Sequence, residues 1–169
     1  MKKIVLILFV LGIQVGFAQK VAYIEMDKIL DNMPEFQKAS DEIDQQAQVW
    51  QSELDAKFES IENMYQEYVR NEPTLSDQAK QQKQEAIFEA EKKANEFKEE
   101  KFGREGEIIA LQEKKFQPLY DKVFASAEKI AKEKQFDYVF DKSQEGGWIY
   151  TNPQLDLTED VKADLGVSE

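Results

Sequence analysis

The sequence predicts a mostly helical α+β protein with a small body and a long antiparallel helical hairpin, as in a coiled coil. Residues 35–116 are rich in Glu, Lys, Gln and Ala, with an apolar residue at about every third or fourth position. This stretch, the arm, has one conspicuous break, a tip near residues 71–76 that contains Pro73. Strand-like segments lie only before and after it. The flanking residues 19–34 and 117–169 must therefore meet to form the body.

The first 18 residues have the pattern of a cleaved secretory signal peptide. Lys2 and Lys3 precede an apolar run, and Gly16-Phe17-Ala18 provides the small residues at which a signal peptidase cuts. The alternative is a membrane anchor, which needs about 20 apolar residues, but Gln14 and Gly16 interrupt this run. We therefore expect an exported chain that begins near Gln19.

Composition excludes several classes of function. The chain has no Cys and no His, so it lacks disulfides, the commonest general base and the commonest metal ligand. No phosphate-binding loop or nucleophile pair is present either. We therefore expect no enzymatic activity, no cofactor and no metal site.

The charge is strongly acidic. Without Lys2 and Lys3, 20 basic residues face 34 acidic ones, a net charge of −14. This argues against nucleic acid and against adsorption to an anionic membrane surface. The outgoing half of the arm, residues 35–70, has a net charge of −6, and residues 77–116 have −1. This imbalance allows ion pairs between the two helices of the arm.

The outgoing helix should begin at Pro34, because proline is tolerated in the first helical turn. Before it, residues 20–26 read as a strand, and Asp27 is a candidate N-cap for a short helical turn. Within the long helix, apolar residues recur at steps of three or four, which is typical of a coiled-coil interface. These residues are Ile43, Ala47, Trp50, Leu54, Phe58, Ile61, Tyr65 and Tyr68.

In the returning segment we expect a capped first turn, a flexible or kinked point at two glycines, and a bend at a proline. Ser76 or Thr74 should cap its first turn. Gly103 and Gly106 lie within it and predict a flexible or kinked point. A Gly-x-x-Gly nucleic-acid clamp is a weaker interpretation, given helical flanks and acidic charge. Pro118 predicts a further bend where the arm meets the body.

The end of the chain should complete the body. A helix with an apolar stripe follows Pro118. Residues 136–141 and 148–151 read as strands joined by a turn at Gly146-Gly147. The last element is a short helix, with Thr158 as its expected cap and Gly166 as its end.

The body, residues 19–34 and 117–169, is so small that we expect it to be stabilised by association with other copies of the chain. Below about 70–80 residues a core rarely supplies more than 3–5 kcal/mol, and three short strands leave unpaired edges. We therefore expect a cyclic homo-oligomer with arms projecting from one side. The candidate contact residues are Val21, Tyr23, Ile24, Tyr138, Val139, Phe140, Trp148, Ile149 and Tyr150.

Four segments resemble the Skp (OmpH-like) family of periplasmic chaperones, and they span the chain after residue 19 in the family's order. The first is Lys20-Val-Ala-Tyr-Ile-Glu-Met-Asp-Lys-Ile-Leu30, and the second is Gln117-Pro-Leu-Tyr-Asp-Lys-Val123. The third is Ile130-Ala-Lys-Glu-Lys-Gln-Phe-Asp-Tyr-Val-Phe-Asp-Lys142, and the fourth covers residues 149–161. In the arm the resemblance is mainly compositional.

The resemblance implies a periplasmic homotrimer. Strands of three chains would form a β-barrel body, and three arms would enclose a cavity. Such a protein holds unfolded outer-membrane β-barrel proteins without ATP and prevents their aggregation. This chain departs from the family's tendency towards basic arms, which argues against charge-based attraction of such arms to clients or to acidic lipopolysaccharide. The alternative function is a structural or adaptor coiled coil of the envelope that binds a folded partner.

The arm is rich in aromatic residues and poor in leucine. Its rings either fill the interface between the two helices or contact apolar client segments, and the first role is the commoner one for any single ring. The candidates for client contact lie in the half of the arm nearest the tip. They are Phe58, Met64, Tyr65, Tyr68, Val69, Leu75 and Phe88.

Overall fold

The structure, a computed structural model, describes residues 19–143 and 146–167. The expected signal peptide lies outside these residues. Within the described ranges the chain forms two strands, five α-helices and two short 3-10 turns. In order they are β1 (Val21–Ile24), α1 (Met26–Asp31), α2 (Pro34–Asn71), a 3-10 turn (Glu72–Thr74), α3 (Asp77–Phe102), α4 (Glu107–Lys134), β2 (Tyr138–Asp141), a 3-10 turn (Pro153–Leu155) and α5 (Thr158–Leu165).

The long hairpin is confirmed. Helix α2 begins at Pro34, as predicted, and runs for 38 residues, which corresponds to about 57 Å. Pro73 lies in the 3-10 turn at the tip. Ser76 caps α3, because its hydroxyl oxygen accepts a hydrogen bond from the backbone N–H of Ala79 at 3.3 Å. The hairpin is therefore a direct consequence of local capping and breaking signals.

The kink expected at the two glycines is a complete interruption between α3 and α4. A Cβ atom on Gly103 would lie 2.4 Å from the carbonyl oxygen of Glu99. One on Gly106 would lie 2.8 Å from the backbone nitrogen of Gly103. The chain folds so closely on itself here that any side chain would displace the backbone.

The bend expected at Pro118 is not a helix boundary, because Pro118 lies inside α4. Proline lacks the N–H that would bond the carbonyl of Lys114, four residues earlier. Both residues are exposed, so water can replace the missing donor. The helix therefore continues from the arm into the body.

The body contains a parallel pair of strands. Val21 is opposite Tyr138, and Ile24 is opposite Asp141. On the other edge of β1, the carbonyl of Tyr23 accepts a hydrogen bond from the N–H of Leu157 at 2.8 Å. Both chain ends therefore meet at β1, as predicted.

The prediction of a third strand at residues 148–151 is wrong for the single chain. These residues have no strand geometry, and Ile149 and Tyr150 are 102% and 79% exposed. A strand needs a hydrogen-bonding neighbour, and the described part of the chain pairs no residue with this segment. The resulting sheet has two strands.

Two predicted helix caps serve a different purpose. Asp27 is the second residue of α1, and its carboxylate accepts hydrogen bonds from the hydroxyl of Ser143 at 2.7 Å and from the N–H of Lys28. Thr158 is the first residue of α5, and its hydroxyl accepts from the N–H of Glu25 at 2.9 Å. Both side chains connect the two ends of the chain. Gly166, with a φ of 71°, ends α5 as predicted.

The hydrophobic core joins all parts of the body to the base of the arm. Four large side chains of the core have a relative exposure of 1% or less: Ile29, Val123, Leu157 and Val161. The other buried members are Ala22, Ile24, Met26, Leu30, Met33, Ala39, Leu119, Ala127 and Ile130. Because this set includes residues of both α2 and α4, the core fixes where the arm leaves the body.

Ion pairs join α2 to the two helices that follow it, as the charge imbalance allows. Glu67 accepts a hydrogen bond from Lys83 at 2.9 Å, Glu35 accepts one from Lys122 at 3.2 Å, and Glu42 pairs with Lys115. In each case the hydrogen bond from lysine holds the pKa of the glutamate below its usual value.

Replacing Ile29 by Ala should lower the free energy of unfolding by about 2–5 kcal/mol, because it leaves a cavity in the core. Denaturant unfolding at a fixed protein concentration measures the change. Val49, which is 52% exposed, is the control, and Val49→Ala should change the value by less than about 0.5 kcal/mol. Equal effects of the two substitutions would contradict this core.

Replacing Glu35, Glu42 and Glu67 together by Gln should lower the melting temperature at neutral pH. A lowered folded-state pKa adds stability above the ordinary glutamate pKa of about 4.3, and this stability disappears as the pH falls through the folded-state pKa. The difference between wild type and variant, followed by circular dichroism, should therefore vanish on acidification. A difference that persists in acid would rule out these ion pairs as its source.

Candidate functional site

The interface between α2 and α3 is rotated by one residue from the predicted one. In the half of α2 nearest the tip, Leu54, Ile61 and Tyr68 are buried at a spacing of seven. Phe58 and Tyr65 were expected to alternate with them, but they are 42% and 55% exposed. The interface therefore leaves the large rings of this part of α2 largely in solvent.

Helix α3 explains the rotation. The ring of Phe97 is partly buried and lies 5.0 Å from the ammonium of Lys57, the residue before Phe58. Met64, the residue before Tyr65, is also partly buried. Ala94 is completely buried, so the two helices approach closely beside it. Met64, rather than Tyr65, is thus turned towards the interface, and the exposed Lys57, rather than Phe58, contacts α3 beside Phe97.

The seven client-contact candidates fall into three groups. Phe58, Tyr65, Val69 and Phe88 are exposed, Val69 by 50% and Phe88 by 62%. Met64 and Leu75 are half-buried. Tyr68 is buried within the arm, where its hydroxyl accepts a hydrogen bond from Gln84 at 2.8 Å. Tyr68 therefore holds the two helices together and is not available to a client.

The exposed apolar residues in the half of α2 nearest the tip belong to one stripe. Asp55, Phe58, Glu62, Tyr65 and Val69 of α2, and Glu72 at the start of the turn that follows, succeed one another at alternating steps of three and four, so they share one face. We call these six residues the distal stripe. All six are exposed. The sequence contains this pattern, but its acidic members were not recognised as part of a surface.

The interruption between α3 and α4 is held by Lys101. Its ammonium contacts Glu107, across the break, at 2.5 Å and Glu100 at 2.8 Å, and it lies 5.4 Å from the ring of Trp50 on α2. Hydrogen bonds to Glu100 and Glu107 raise the pKa of Lys101. Trp50 also contacts Phe102 edge to face, with 6.3 Å between ring centres. These contacts fix the base of the arm against the continuous helix α2.

The body has a second exposed apolar surface. Tyr138, Phe140 and Trp148 form a row with ring centres 6.4 and 6.2 Å apart, and each is about half exposed. Val21, Ile149 and Tyr150 are also exposed, whereas Tyr23 and Ile24 are buried and Val139 is partly buried. The candidate oligomer residues therefore divide into six surface residues and three residues of the body itself.

Sequence reasoning missed one residue of this surface. Phe124 is 54% exposed and helps to line a groove of about 540 Å³ between α4 and β2, with Tyr138 and Phe140. Phe124 follows the buried Val123 within the apolar stripe of α4. An apolar stripe on a helix is normally assigned to the core, so Phe124 was not predicted to be exposed. The groove is continuous with the row of exposed rings.

The arm carries a shallower groove of about 440 Å³ between α2 and α3, lined by Ala56, Ala90, Lys93 and their neighbours. Among the described residues, no acidic cluster is arranged to hold a metal ion. None of the helices in that part of the chain has the length and apolar character needed to cross a bilayer. The distal stripe on the arm and the row of rings on the body are the candidate functional sites, because both expose large apolar side chains.

Comparison with known proteins identifies the fold and the family. A crystal structure of a Caulobacter crescentus CB15 protein, named as an outer membrane chaperone (OmpH-like), superimposes with a TM-score of 0.68 at 14% sequence identity. The alignment covers 94% of this chain and 90% of that one, so the whole architecture is shared. No curated protein sequence matches. The sequence model of the OmpH-like outer membrane protein family matches residues 20–165, and the chain therefore belongs to this family.

Proposed function

We propose that this protein is an ATP-independent holdase chaperone of the periplasm. It holds unfolded outer-membrane β-barrel proteins between its arms and prevents their aggregation. The observation that carries the proposal is the set of exposed apolar side chains on the arm: Phe58, Tyr65, Val69 and Phe88. Membership of the OmpH-like family and the name of the Caulobacter relative support it.

Contacts of this kind suit a holdase that works without ATP. Fully burying one large apolar side chain contributes about 1.5–3 kcal/mol. The arm residues are already half-buried or spread along the helices, so each contributes only part of this value to a client. A client held by many partial contacts can release them one at a time. Aromatic and branched side chains also accept many different apolar partners.

A trimer would place several such arms around one space. Within the described residues, β2 pairs only with β1, and its exposed rings adjoin the unpaired segment 148–151. In the proposed homotrimer, strands of three chains close a barrel, and residues 148–151 become a strand there. The same association buries Tyr138, Phe140 and Ile149, whose exposure on a soluble monomer would favour aggregation.

The proposed location depends on residues 1–18 acting as a cleaved signal peptide. In the periplasm the clients would be the unfolded proteins themselves. The net charge of the chain, −12 including the signal segment, opposes direct binding to anionic lipid or lipopolysaccharide.

Replacing Phe58, Tyr65 and Val69 together by Ser should weaken the suppression of client aggregation several-fold. Light scattering of an outer-membrane β-barrel protein diluted from urea measures it. Val49→Ser with Ile109→Ser is the matched control, because these residues are also exposed and apolar but lie outside the distal stripe. Unchanged suppression by the triple variant would overturn the assignment of these residues. Binding to one folded partner, with no suppression by the wild type, would favour the adaptor alternative.

The wild-type protein should be a trimer at micromolar concentration in mass photometry. Phe140→Asp with Ile149→Asp should convert it to monomers, because both charges would be buried in the interface. Phe88→Asp, on the exposed surface of the arm, should leave the mass unchanged. A wild-type monomer would refute the trimer.

A further inference from the structure

The acidic residues of α2 differ in whether the returning chain neutralises them. Glu35, Glu42 and Glu67 each pair with a lysine of α3 or α4. Asp55, Glu62 and Glu72, in the distal stripe, form no ion pair with any residue that the structure describes. Asp55 and Glu62 accept hydrogen bonds only from the neutral side chains of Gln51 and Gln66. The negative charge of this face therefore remains available.

The basic residues in this part of α2 lie away from the stripe. Between positions 55 and 72 the only bases are Lys57 and Arg70. Lys57 extends over the ring of Phe97 on α3. Arg70 lies close enough to Glu67 to lower its pKa, and Glu67 is on the side that faces Lys83. The stripe itself thus presents three carboxylates, two rings and one valine, with no positive charge.

The stripe is long enough to bind a segment of an extended chain. Residues 55–72 span about 25 Å of helix, which equals about seven or eight residues of a β-like strand. Along this length three carboxylates are interspersed among three apolar side chains. A complementary segment would therefore combine basic and apolar residues.

We propose that the distal stripe binds segments of unfolded clients that combine apolar with basic residues, and that it discriminates against acidic segments. This inference rests on the proposed holdase function and specifies its client class. Apolar contacts attract all clients alike, and the carboxylates make the affinity depend on the charge of the client segment. Each exposed charge pair contributes little by itself, but the three carboxylates of the stripe act together on one bound segment, attracting its basic residues and repelling acidic ones.

The test uses the full mature protein and two soluble peptides of equal length and equal apolar content. One peptide carries Lys at its polar positions and the other carries Glu. Fluorescence anisotropy measures their affinity at low and at high salt. Asp55→Asn, Glu62→Gln and Glu72→Gln form the test variant. Glu53→Gln, Glu89→Gln and Glu113→Gln form the control, which removes the same charge from exposed residues outside the stripe.

We expect the Lys peptide to bind more tightly than the Glu peptide and to lose affinity as salt rises. The test variant should bind the Lys peptide about tenfold more weakly, whereas the control should change its affinity less than about twofold. Equal binding of the two peptides, or equal losses in the two variants, would overturn the inference.

Light scattering with the same preparations separates this inference from the function on which it rests. If the wild type suppresses aggregation of an unfolded outer-membrane β-barrel protein but shows no preference for the Lys peptide, the holdase stands and the proposed client class is wrong. If it suppresses no aggregation at all, the proposed function fails, and the client class fails with it.

Discussion

The pairing of both chain ends with β1 is the constraint on which the rest of the molecule depends. The carbonyl of Lys20 accepts a hydrogen bond from the N–H of Asp137 at 2.8 Å, and that of Tyr23 accepts one from Leu157. These bonds join residues more than 110 positions apart, across the whole length of the arm. Because α2 and α4 both pack on the core formed there, the arm has a fixed base only while this closure holds. Its loss would release two long polar helices that bury little apolar surface themselves.

Local signals in the sequence predicted most of the helical architecture, and non-local features caused most of the errors. Pro34, Ser76 and Gly166 act within one turn of the residues that they affect, so their effects could be predicted. The segment 148–151 has strand-like residues, but strand formation depends on a partner that is not beside it in sequence. Pro118 lies inside α4 rather than at its boundary, because Leu119 and the residues that follow it pack on the core and hold the helix together despite the proline.

The orientation of the arm's rings could not be decided from the sequence because two neighbouring columns fit the same periodicity. Leu54, Ile61 and Tyr68 belong to both columns, and the positions between them can be filled by Phe58 and Tyr65 or by their preceding residues. Hydrophobicity alone would place the rings of Phe58 and Tyr65 in the interface. In the structure the ammonium of Lys57 lies over the ring of Phe97 on α3 and Met64 is partly buried, whereas Phe58 and Tyr65 remain exposed. Choosing between the columns requires knowledge of the facing helix, which a pattern on one helix does not contain.

A surface that binds unfolded chains must avoid binding copies of itself, and the composition of the distal stripe meets this requirement. Exposed apolar rows promote self-association. Here each apolar position has a carboxylate three or four residues away, so two stripes of like charge repel at the distances where their rings would meet. In the proposed trimer the same repulsion would act between arms and favour an open cavity. A basic, apolar segment would remove the repulsion as it binds, so that the arms could close around it. In this proposal the carboxylates would keep the arms apart and prevent self-association while no client is bound. They would also determine which client segments bind.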